Sequence, residues 1–160
     1  ENFIDESSEK RFMQLMNIIR GIRNIRAEVN VPQSTKVKTF VKGTLTDEEQ
    51  EYIKFLGNVE SIEFVEKRPE LSATAYISLE NEVYVSLGTL IDVKSEVERL
   101  RKKVEKLKSD MEKFAKKLED ENFLKNAPED IVEETKEKQR LFQEQIARIE
   151  QIISDLEAKA

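Results

Sequence analysis

The side chains with the clearest chemical potential in this sequence are cations in a helical run. Residues 93–118 hold ten Lys and Arg against five Asp and Glu, whereas residues 129–157 hold four against nine, giving net charges of +5 and −5. Opposite runs of this kind attract one another across flanking positions and specify antiparallel pairing, with no ligand required. Adjacent helical residues diverge by about 100°, however, so Arg101, Lys102 and Lys103 cannot all face one partner helix, and neither can Lys116 and Lys117. Those left outside form a basic stripe suited to phosphate. Binding there would weaken steeply with salt and would read a duplex by shape more than by base edges.

Other chemistries narrow quickly. Glu119, Asp120 and Glu121 supply oxygen ligands of the type hard divalent cations favour. Adjacent carboxylates at a helix end are ordinarily solvated, and Lys116, Lys117 and Lys125 oppose a cation, so no metal site is assigned. The absence of Cys and His removes thiolate and imidazole ligands and every Ser-His or Cys-His arrangement. The four glycines, Gly21, Gly43, Gly57 and Gly88, are isolated and form no phosphate-cradling loop. No catalytic residue is assigned. The overall charge of −6 argues against coating nucleic acid by bulk electrostatics and leaves only a local basic surface.

The elements that must position these cations follow from periodicity. Val93, Val97, Leu100, Val104, Leu107, Met111, Phe114 and Leu118 repeat at four and three, a sustained heptad seam, with Asp92 at the N-cap position. The run ends near 119–127. Pro128, Glu129 and Asp130 then suit the start of a second helix. That helix reaches about Leu156 and turns inward Ile131, Phe142, Ile146, Ile149, Leu156 and either Ile152 or Ile153, although Thr135 and Lys138 interrupt its apolar side. The two would project roughly 40 Å as an arm, with a weaker seam and looser packing near the turn.

Upstream, Phe12, Leu15, Met16, Ile19, Ile22 and Ile25 recur on one face of a helix over 9–27, which Pro32 follows. Arg20, Arg23 and Arg26, three apart, form a drifting row on its polar side. From Lys36 to Leu87 the period changes. Val37, Thr39 and Val41 alternate as in a strand. Thr46 and Glu49 make a capping-box pair for a helix that Gly57 stops. Strands follow at 61–65, 73–79 and 82–87. The expected architecture is therefore α+β: an N-terminal helix, a small mainly antiparallel sheet with one covering helix, then a long antiparallel two-helix coiled-coil hairpin. Its segments would be 1–32, 33–91 and 92–160.

Three stretches carry a resemblance to valyl-tRNA synthetases. The run Ile18-Ile19-Arg20-Gly21-Ile22-Arg23-Asn24-Ile25-Arg26-Ala27-Glu28, with Pro32, resembles the last helix of that family's anticodon-binding bundle. Leu90-Ile91-Asp92-Val93 with Glu96, Arg99 and Leu100 resembles the entry into its terminal coiled coil. Lys117-Leu118, Phe123, Ala127-Pro128, Val132 and Glu133 resemble its hairpin turn. Asp120 and Asn126 depart from the asparagine and lysine common there.

The resemblance implies an arm that grips the outer corner of tRNA(Val), in a parent enzyme that charges tRNA with valine using ATP and magnesium. The catalytic domain would lie in the same chain outside these residues, since no His-Ile-Gly-His or Lys-Met-Ser-Lys-Ser element occurs, and so would the rest of the anticodon-binding domain. No cofactor is expected on this fragment. The residues expected to meet phosphate are Arg101, Lys102, Lys103, Lys113, Lys116, Lys117 and Lys125, with Lys136 and Arg140 on the return helix. Arg20, Arg23 and Arg26 make a second set. A competing reading is a coiled-coil protein-interaction or chaperone-like module without nucleic acid.

No run of about 20 apolar residues could span a bilayer and the first residues are too charged for a secretory signal, so a cytoplasmic location is expected. The chain begins at Glu1, as a processed or excised segment would. Phe12, Leu15, Met16 and Ile19 are expected to be left exposed by excision and to favour non-native self-association.

Overall fold

In a computed structural model, which describes residues 6–88 and 90–158, the chain divides into two compact units. One holds the residues up to Val93 together with those from Asp155 onward, and the other runs from Lys94 to Ser154. The architecture is α+β, with a four-stranded sheet and five helices among the described residues.

The first unit begins with α1 (Glu6–Glu28). Ile18, Ile22 and Ile25 are buried together with Leu15 and Ile19, while Phe12 and Met13 are more than half exposed. The apolar face is therefore largely covered within this chain, because α1 lies against the strands. A Cβ at Gly21 would come 2.0 Å from the Ala75 carbonyl oxygen, a separation that only glycine permits between helix and strand backbones.

Strand β1 (Val37–Lys42) buries Val37, Thr39 and Val41, as the alternation predicts. Helix α2 (Asp47–Leu56) opens on a complete capping box. The Thr46 side chain accepts from the Glu49 N–H at 3.1 Å, and the Glu49 carboxylate accepts from the Thr46 N–H at 2.9 Å. Strands β2 (Val59–Phe64), β3 (Ser72–Ile77) and β4 (Glu82–Ser86) complete the sheet in the order β2-β1-β4-β3.

Two parts of the expected fold need correction. The sheet is mixed, because β1 pairs β2 in parallel while β1–β4 and β3–β4 are antiparallel. The reason is α2: a helix joining two neighbouring strands is a crossover, which returns the chain in the same direction. The sheet also has more than one covering helix, since α1 packs on β3 and β4 while α2 packs on β2 and on α1.

The second unit is built from α3 (Val93–Glu119), the short α4 (Glu121–Asn126) and α5 (Glu129–Glu157), the last running on into the first unit. The connecting segment 119–127 is thus largely helical. Asp120 makes this so, accepting from the Asn122 N–H at 2.9 Å as the N-cap of α4. An asparagine there would cap equally well, so the departure at Asp120 conserves the local chemistry.

Candidate nucleic-acid interface

Side chains of α3 and α5 meet in a register that runs in opposite chain directions. Lys108 Nζ lies 3.0 Å from a Glu150 carboxylate oxygen, and the Phe114 and Phe142 rings meet edge to face at 5.4 Å between centroids. Six residues forward on one helix therefore correspond to eight backward on the other. Burial varies along them, and Val93 and Val97 at the start of α3 are half-buried. Leu100, Val104, Ile146, Ile149, Ile152 and Ile153 are buried, whereas Leu107, Met111, Phe114, Leu118 and Phe142 are half-buried and Ile131 is 41% exposed. Ile131 thus departs from its expected inward place. Thr135, an interruption of the apolar side, is buried with its hydroxyl donating to the Ile131 carbonyl at 2.9 Å. Lys138 stays outside, paired with Glu134 at 3.3 Å.

With the apolar seam fixed, the outward face of α3 can be read directly. At about 100° per residue, Lys102, Lys106, Lys113, Lys116 and Lys117 fall within an arc of roughly 100° opposite the seam. All five are exposed. Lys113 lies 3.8 Å from Asp110, while the other four have no ion pair within the described residues. Glu98 and Glu105 border the stripe on one side. Arg101 and Lys103, predicted with this set, flank the seam instead, and both have partners within the chain. Lys106 joins the predicted set as a member that the sequence reading did not include. Its angular position at four residues after Lys102 and seven before Lys113 was available from the spacing alone.

The remaining candidates differ in availability. Lys125, on α4, is exposed with no ion pair within the described residues. Lys136 pairs with Glu133 at 3.5 Å. Arg140 is held on both sides by Glu137 and Glu144. Its hydrogen bond to Glu137 is the leading cause of a raised pKa, with the charges of both glutamates adding to it, and the same contact lowers that of Glu137. A guanidinium so engaged must shed carboxylates before it can meet phosphate.

The α1 arginines do not share one surface. Arg20 and Arg23 are exposed, but Arg26 is buried, which corrects the expectation of an exposed row. Each three-residue step turns the row back by about 60°, so two steps carry it from solvent to the core side. Arg26 Nη2 donates to the Pro32 carbonyl at 2.9 Å, and burial lowers its pKa.

Among the described residues, no group of three or more Asp or Glu is arranged to hold a metal ion, and no helix is long and apolar enough to cross a membrane.

Residues 92–157 match a family model described as the valyl-tRNA synthetase tRNA-binding arm. The chain is 99% identical over its full 160 residues to a valine–tRNA ligase of Fervidobacterium nodosum, 49% identical over 155 residues to that of Thermotoga maritima, and 40% over 154 to that of Pseudothermotoga lettingae. The last two alignments each take in 96% of the chain. In all three cases the chain spans 18% of the relative's own length. These matches favour the nucleic-acid arm over the protein-only hairpin. An arm family is thus matched on the helices that carry the lysine stripe, and the chain along its length is similar to part of curated valine–tRNA ligases.

Proposed function

We propose that this chain is a tRNA-gripping portion of a valine–tRNA ligase, in which α3, α4 and α5 form a long antiparallel coiled-coil hairpin that holds tRNA(Val) by its phosphates. The observation that carries this reading is the outward lysine stripe of α3, opposite the apolar seam and largely free of internal ion pairs. Residues 1–32 would be the last helix of the anticodon-binding bundle, 33–91 a small α+β spacer and 92–160 the arm. Valine activation, transfer and the use of ATP and magnesium would belong to parts of a cytoplasmic parent chain outside these residues.

In physical terms the arm adds contacts remote from the chemistry. They slow dissociation of tRNA and help present its acceptor end to the catalytic domain, by tethering more than by reading sequence. Arg101, Lys103, Lys136 and Arg140 would contribute to the local positive field, with Lys102, Lys106, Lys113, Lys116, Lys117 and Lys125 in direct reach of phosphate.

The test is binding of the chain to a valine-specific tRNA transcript across a salt series, beside a non-cognate tRNA and a Lys116→Glu/Lys117→Glu variant. Affinity should fall with salt, and the log–log slope should be lower by at least about one for the variant. Equal binding of both tRNAs would assign the arm to shared tRNA shape. Absence of binding to either at low salt would sink the reading.

A further inference from the structure

In the first unit, α1, α2 and the turn after each of them enclose an open cleft of about 610 Å³. Its wall is basic. The Arg23 Nε donates to the Leu56 carbonyl at 2.8 Å, which anchors the guanidinium and leaves both of its terminal nitrogens without a partner in the described residues. Beneath it, Arg26 is 7% exposed, with Nη2 on the Pro32 carbonyl and Nη1 buried without any hydrogen-bond partner. No Asp or Glu lines the cleft, and neither arginine is in an ion pair. A buried cation without a counter-ion raises the local potential and draws an anion to the nearest accessible surface. At the same cleft Phe55 stands 84% exposed, an aromatic ring that burial does not explain.

An anchored guanidinium over a buried charge, beside a solvent-facing ring, is the pairing that recognises an unstacked nucleotide: the phosphate takes the cation and the base takes the ring face. The Asn58 side chain donates to the Gln33 carbonyl at 2.7 Å and fixes the far wall. We propose that this cleft seats one unpaired nucleotide of an RNA chain, with its phosphate on Arg23 over the field of Arg26 and its base against Phe55. The inference rests on the RNA-binding reading above but concerns a different unit from the lysine stripe, so the two are separable.

The chain contains no tryptophan, so Phe55→Trp installs a single reporter on an exposed position. Titration of that variant with a single-stranded oligoadenylate of about six nucleotides should quench its fluorescence saturably, whereas inorganic phosphate should not. Adding Arg23→Gln should weaken the midpoint about tenfold, and in competition Phe55→Ala should weaken oligonucleotide binding by a similar factor. Lys138→Gln, at an exposed lysine paired with Glu134 on α5, should leave the quenching unchanged. No saturable quenching, quenching by phosphate alone, indifference to Arg23→Gln, or an equal loss with Lys138→Gln would each overturn the proposal. Intact quenching beside failed tRNA binding would sink the arm reading instead.

Discussion

The Asp155 carboxylate accepts the backbone N–H of Thr74 at 2.7 Å, across 81 residues of sequence. Thr74 lies on β3, which pairs only with β4 and so forms an edge of the sheet. An edge N–H that faces away from the ladder otherwise invites another strand. The Arg68 guanidinium reinforces the contact by donating to the Ser72 and Asp155 carbonyls at 3.2 and 3.3 Å, and Asp155 itself is buried. Asp155, which belongs to the first unit, is thereby tied to that unit's sheet edge by hydrogen bonds.

Asp155→Ala should destabilise that unit by about 1 to 3 kcal/mol, since it strands a part-buried donor and removes a buried carboxylate's other contacts. Asp155→Asn keeps an acceptor oxygen and should recover part of the loss. Denaturant melts of the three proteins, read by circular dichroism, check the order. Equal stability of wild type and Asp155→Ala would mean that water satisfies the Thr74 N–H.

Gly21→Ala tests the approach of α1 to the sheet. On an exposed helix the change would be favourable, because alanine is the better helix former by about 1 kcal/mol. Here the new methyl group would meet the Ala75 carbonyl, which is backbone and cannot swing aside. Steric cost should win, with a loss of about 3 kcal/mol or more, seen as a lowered urea midpoint.

Glu49 gives the fold an acid-sensitive corner. Burial pushes its carboxyl up, but the hydrogen bonds from Thr46, together with the Arg11 guanidinium at 2.6 Å, outweigh that and bring its pKa below the ordinary 4.5. A carboxyl whose folded pKa is depressed adds stability that is present above the unfolded pKa and is lost as pH falls through the folded one. Stability should therefore decline as pH drops below about 4.5, with Glu49 contributing up to about 1 kcal/mol of an exposed pair's usual worth. Glu49→Gln should flatten part of that decline in pH-dependent thermal melts.

Much of this was legible in the sequence because the signals were local. The capping box of Thr46 and Glu49, the alternation of Val37, Thr39 and Val41, and the heptad seam of α3 each specify a neighbourhood of a few residues. What escaped depended on partners distant in sequence or on angles rather than adjacency. The parallel β1–β2 pair follows from where α2 carries the chain. The inward turn of Arg26 accumulates over two helical steps from Arg20, and Ile18, which continues the three-and-four spacing of Leu15, Ile22 and Ile25, is buried with them. Lys106 belongs to the stripe by angle while standing apart from any cluster, and nothing near Asp155 in the sequence announces Thr74.

The contrast between Lys106 and Arg140 turns that angular argument into a measurement on RNA binding. Lys106 is exposed, opposite the seam, and has no ion pair within the described residues. Arg140 is also exposed but is held by two glutamates, so any phosphate it gained would be offset by carboxylates set free. Neutralising Lys106 with Lys106→Gln should therefore lower the salt slope of tRNA binding by about one, whereas Arg140→Gln should change it far less. If Arg140→Gln proved the more damaging of the two, the binding face would lie on α5, and the lysine stripe of α3 would be a solvated helix surface.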